Sequence, residues 1–154
     1  MRDVQQWFEN YGNDHRDARN CAIHWVCVPL ILWCVIAALW VIPVPRAFAQ
    51  PGLWAGVAMF LAWTFYWRLS RVIGLGMLAV FVVFGFIAHL AYAALGAMHL
   101  LVLAGVLFVI AWIGQFIGHT LEGRRPSFLT DLAYLLIGPA WLLGKLLARA
   151  RIAY

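Results

Sequence analysis

The chain has 154 residues, of which 66% are hydrophobic and only 11% charged, with a formal net charge of +5. An ordinary soluble domain carries about 25% charged residues, so this composition excludes one. The basic residues are scattered over the links between apolar runs, as topology signals are, and they form no basic face for a nucleic-acid partner.

The length fits one membrane-embedded domain, residues 1–154. Backbone groups that face lipid must be bonded within helices or a closed barrel. The apolar runs are far longer than barrel strands of about 10 residues and do not alternate, so helices are expected. The expected fold is all-α. It is an integral membrane bundle of about four transmembrane helices, preceded by an amphipathic helix and followed by an interfacial or half-inserted helix pair.

Met1 to Ile23 is polar, and Val4, Trp7 and Phe8 at i, i+3, i+4 predict a short amphipathic helix facing the membrane or the bundle. The first span is predicted from about Trp25 to Ile42, ended by Pro43 and Pro45. The second runs from about Leu53 to Leu69, the third from Val72 to Leu95, and the fourth from Leu100 to Gly118, after a tight link at Gly96 to His99. Ala47-Phe48-Ala49 resembles a leader cleavage site, but the long acidic start (Asp3, Glu9, Asp14, Asp17) argues against cleavage. Phe128 to Leu147 is long enough to cross. Asp131, Pro139 and the trailing Lys145, Arg149 and Arg151 favour instead a pair of helices broken near Gly138-Pro139. Cys21, Cys27 and Cys34 form no CxxC pair and read as packing residues.

Four crossings place Arg2, Arg16, Arg19, Arg68, Arg71, Arg124, Arg125, Lys145, Arg149 and Arg151 on one side and Arg46 alone on the other. Both termini are therefore expected in the cytoplasm, in a bacterial inner membrane or, in a eukaryote, the endoplasmic reticulum.

The histidines divide under this topology. His99 starts a span at the outer face, where snorkelling explains it, and His89 sits in the third span, where a hydrogen bond to a neighbouring helix suffices. His15, His24 and His119 gather at the cytoplasmic rim with Glu122. Asn20 and His24 are four apart, and Gln115, His119 and Glu122 stand at i, i+4, i+7, so each set shares a helix face. Span-end histidines also snorkel, which keeps a bland reading open. As metal ligands, however, they would use Asp14, Asn20, Gln115 and Glu122 as orienting or catalytic partners, and such a set suits a non-haem Fe(II) centre. Arg124 and Arg125 serve as topology charges. Like Arg16 and Arg19, they also suit bidentate capture of a substrate carboxylate. Two alternatives stand beside this reading: a haem electron carrier ligated by His24 and His119, and a non-enzymatic transporter or scaffold.

Tyr11-Gly12-Asn13-Asp14-His15 through Asn20 and His24 to Pro29, then Gln115-Phe116-Ile117-Gly118-His119 through Glu122 to Pro126, resembles the membrane-embedded 2-hydroxy fatty acid dioxygenase family. Its best-known members are fungal endoplasmic-reticulum proteins of sphingolipid degradation. The tyrosine-led H-x4-N-x3-H and the Q-x2-GH-x2-E carry the likeness together; Pro126-Ser127 stands where Pro-Ala is expected. The resemblance implies Fe(2+)-dependent α-oxidation of a 2-hydroxy fatty acid by O2 among membrane lipids. It gives His15, His24 and His119 the ligand role, with Glu122 as a further ligand or its neighbour.

Overall fold

The computed structural model describes residues 4–13, 15–45, 50–123 and 133–154. Among them all regular structure is helical: α1 (Val4–Asn13), α2 (Ala18–Trp40), α3 (Leu53–Leu69), α4 (Arg71–Glu122) and α5 (Tyr134–Arg149). Two of these, α2 and α4, are long and apolar enough to cross a membrane. Large side chains such as Phe60, Leu61, Val82, Phe86, Met98 and Val102 are exposed along α3 and α4. Contiguous apolar surface on this scale is of the kind that a membrane or a protein partner covers.

Sequence sets the helix limits. Asp17 caps α2 by accepting from the backbone N–H of Arg19 (2.8 Å) and Asn20 (3.2 Å). Ser70 alone separates α3 from α4, and its hydroxyl accepts from Ile73 N (3.4 Å). Gly96 has φ 75°, ψ 171°, a conformation closed to most L residues, and it splits α4 into arms 71–95 and 97–122. The link expected over Gly96 to His99 is thus one residue long.

Contacts show that α2, α3 and the two arms run up and down. Trp40, at the end of α2, meets His89 of the first arm, and a Cβ on Gly52 would strike the Trp40 ring. At the opposite end of the bundle, Tyr66 donates to Leu136 O (2.8 Å), while Cys27 and Ile23 of α2 face Gly114 of the second arm. Gly114 and Gly118 make this last pairing possible. A Cβ on Gly114 would lie 2.7 Å from Cys27 Sγ, and one on Gly118 would run into Asn20 Oδ1. Glycines four apart let two helix backbones approach closely, and here they bring the N-terminal end of α2 against the C-terminal end of α4.

One expectation changes. The sequence places a break near Gly138-Pro139, whereas α5 passes through it as one helix. Pro139 lacks the N–H that would bond to Leu135 O, and the helix runs on past this one missing bond, with the Tyr66 hydroxyl donating to the next carbonyl, Leu136 O. Residues 128–132, the start of the expected pair, lie outside the described residues, as does Ala47-Phe48-Ala49. The amphipathic α1 turns its apolar face to protein: Val4, Phe8 and Tyr11 are buried, and Trp7 packs edge-on against Tyr134 (5.3 Å between ring centroids).

Gly114→Leu is expected to wedge α2 from the second arm and cost about 1–3 kcal/mol, as overpacking does. Thermal unfolding in detergent micelles reads this as a lowered midpoint. An unchanged midpoint contradicts the close approach.

Candidate metal centre

Five polar side chains are buried among the described residues, His15, Asn20, His24, Gln115 and His119, and all lie at the α1/α5 end of the bundle. The potential ligand atoms of His15, His24 and His119 lie within 4.8 Å of one another. The rings meet edge to face, with centroids 4.2 Å apart for His15 and His24, 5.2 Å for His15 and His119, and 5.0 Å for His24 and His119.

Each of the first two rings is held by the backbone four residues before it. His15 Nδ1 lies 2.6 Å from Tyr11 O, and His24 Nδ1 lies 2.9 Å from Asn20 O. A carbonyl only accepts, so both Nδ1 atoms carry hydrogen, and in neutral rings both Nε2 atoms carry lone pairs. Those Nε2 atoms stand 2.9 Å apart. Two facing lone pairs repel. A shared proton would create an imidazolium in a buried site among other imidazoles, which desolvation opposes. A metal cation satisfies both. Two nitrogens about 2.1 Å from one ion and at right angles to each other would be about 3 Å apart, close to the spacing seen.

The segment that carries His15 is fixed from several sides. Its N–H donates to Gly12 O (3.1 Å), and Cys21 Sγ donates to its carbonyl (3.1 Å). Tyr11 stacks on its ring (4.2 Å, 18°), and Trp141 flanks it at 5.4 Å. Glu122 acts from the far end of the chain. Its Oε1 accepts from Arg16 N (2.9 Å), and its Oε2 accepts from Asp17 N (2.8 Å) and Asn20 Nδ2 (3.1 Å). Partial burial alone would raise the Glu122 carboxyl, but the N–H groups of Asp17, Arg16 and Asn20 outweigh it and hold it below its usual range. The Gln115 side chain is buried beside the His24 ring.

The other residues singled out from sequence are placed as follows. The Arg16 guanidinium donates to Asn13 Oδ1 (2.6 Å) at the surface, and Arg19 is exposed in the first turn of α2. Arg124, Arg125 and Asp14 lie outside the described residues. His99 is exposed and bonds to Leu95 O (3.1 Å), while His89 packs near Trp40, both far from the cluster. Sequence reasoning missed Tyr11, Trp141 and Lys145 as site residues. Lys145 sits over the Trp141 ring (3.6 Å) with Nζ 4.0 Å from Cys21 Sγ, so a cation borders the centre. The four-residue spacing of Tyr11 to His15, repeated in Asn20 to His24, was the available signal for Tyr11.

The family described as 2-hydroxy-palmitic acid dioxygenase Mpo1-like matches residues 1–150. The chain belongs to this family. No curated protein and no solved structure gives a match to it. The Mpo1-like match spans both histidine segments and the helices between them, so the clustered residues come from its two extremes.

Glu122→Ala is expected to loosen residues 15–20 and weaken metal binding about 10–100-fold, the usual cost of losing an outer partner of a ligand. Titration with cobalt(II), followed in the visible, measures it. An unchanged affinity would show that Glu122 does not hold the centre together.

Proposed function

We propose that the protein is an iron(II)-dependent dioxygenase that removes one carbon from 2-hydroxy fatty acids. The observation that carries this reading is the pair of Nε2 atoms facing each other at 2.9 Å, with His119 beside them, in a chain of the Mpo1-like family. His15, His24 and His119 would hold the ion. Histidine ligands with open positions suit non-haem iron, and an oxygen-consuming reaction needs a redox metal, which zinc is not. When bound, iron supplies Lewis acidity and oxygen activation. The reaction balances with one O2 taking four electrons: a 2-hydroxy acid and O2 give the acid one carbon shorter, CO2 and water.

The chain's own groups then have assignable parts. The carbonyls of Tyr11 and Asn20 fix the tautomers of His15 and His24, leaving Nε2 free of hydrogen. Glu122 is a positioning residue that ties the segment of His15 to the end of α4, and Gln115 positions His24. Arg16 and Arg19, with Arg124 and Arg125, are the candidates for the substrate carboxylate. In the membrane, α2, α3 and the two arms of α4 would make four crossings, with the centre at the cytoplasmic rim. There the head of an amphiphile meets water while its chain stays in lipid.

The geometry favours a bare ion over haem, because His15 occupies the space beside His24 and His119 that a flat macrocycle would need. It also disfavours a transport path, since the buried polar side chains gather at one end and do not line the bundle.

His24→Ala and His119→Ala are each expected to lose bound iron and all turnover of a 2-hydroxy fatty acid while still inserting into membranes. Elemental analysis of the purified variants, with mass spectrometry of the shortened acid, checks this. Iron and activity retained in both would overturn the assignment.

A further inference from the structure

A cavity of about 300 Å³ opens beside the histidines. Its two long walls have matching spacing. On α2, Val28, Ile31 and Val35 follow His24 at i+4, i+7 and i+11; on the second arm, Gln115, Trp112 and Phe108 precede His119 by the same intervals. These intervals keep each row on one helix face, and the two helices run antiparallel. Leu135, Gly138 and Pro139 of α5 form a third wall, and the ring of Tyr11 closes the head. A Cβ on Gly138 would lie 3.0 Å from the Tyr11 hydroxyl and 3.6 Å from Val28, so glycine lets α5 pack closely against the other walls near the head.

Polarity is graded along the cavity. Tyr11, Gln115 and His119 cluster at the histidine end, whereas Ile31, Leu32, Val35 and Phe108 make the remainder apolar. Eleven helical residues span about 16 Å. Carbon–carbon bonds of about 1.5 Å advance an extended chain by about 1.25 Å per carbon, so about a dozen carbons fit beside the walls. Val35 and Leu135 are both cavity-lining and exposed, 42% and 45%, which opens the side of the trough toward the apolar surroundings of the bundle.

We propose that this trough holds one extended acyl chain, head at His119 and Gln115, and that Ile31 and Phe108 set which chain lengths are accepted. The inference rests on the reading of the centre as a 2-hydroxy fatty acid oxygenase and adds the residues that measure the tail. Ile31 lies seven residues from His24, about 10 Å along the helix, level with about the eighth carbon of the tail. A large ring there would stop longer chains and spare shorter ones.

Two measurements test it on the full chain in detergent or vesicles. In the first, a 2-hydroxy fatty acid with a mid-chain diazirine is photolysed on the protein, and the adducts are mapped by mass spectrometry. Adducts on α2 and the second arm between Val28 and Val35 and between Phe108 and Trp112 are expected. Adducts confined to outward residues such as Val82 and Val102 overturn the proposal. This readout needs no turnover, so an inactive protein that still labels in the trough would sink the oxygenase reading and leave the chain site standing. In the second, Ile31→Trp is expected to lower kcat/KM for a chain that passes Val35, relative to one that ends before Ile31, by about tenfold or more. Equal loss for both chain lengths overturns the ruler. Phe108→Ala, which removes volume at the far end, should shift preference severalfold toward longer chains, and no shift in either variant counts against the proposal.

Discussion

Two imidazole nitrogens face each other across 2.9 Å with their hydrogens turned away, and the rest of the molecule makes sense as the means of holding them there. Tyr11 and Asn20 each offer a backbone carbonyl to the ring four residues on, which is a helical relationship, so local structure alone selects the tautomer. What local structure does not supply is proximity. That comes from Gly114 and Gly118, which draw α2 and the second arm together, and from Glu122, whose two oxygens bind the segment of His15 to the end of α4. The Glu122 contacts close sequence separations of more than 100 residues.

Such a centre is costly to bury unless it is satisfied. Neutral nitrogen donors crowded into one point are an unfavourable arrangement for a protein alone and a favourable one around a cation, so an ion held here would stabilise the fold. The aromatic shell of Tyr11 and Trp141 limits water at His15, and Lys145 adds a positive charge at the margin. The apolar trough beginning at His119 then gives the polar centre an apolar side, where we propose that an acyl chain lies.

Much of this was legible in the sequence because it depends on periodicity. The apolar runs gave the four up-and-down segments, the prolines at 43 and 45 gave the end of α2, and the four-residue spacings put Asn20 with His24 and Gln115 with His119 on shared faces. The missed features depend on what meets across the fold. Pro139 signalled a break that does not occur: α5 runs on with one intrahelical bond missing, and Tyr66 of α3 bonds to Leu136 O in the same turn. The apolar face of α1 is covered by α5, whose sequence alone does not reveal its partner. The spacing of Glu122 put it beside His119 as an orienting partner, but that both its oxygens accept from the residues 16–20 segment is a contact no pattern in either segment announces. Lys145 looked like a topology charge until α5 folded back against Cys21.

The claim that three imidazoles from opposite ends of the chain share one iron ion is tested most directly by X-ray absorption at the iron edge. The sample is protein purified without chelators, with metal content quantified in parallel. One iron per chain, a shell of nitrogen and oxygen neighbours, and the outer-shell scattering of three imidazole rings are expected. Zinc in place of iron, a haem signature, or an iron shell without imidazole scattering would contradict it.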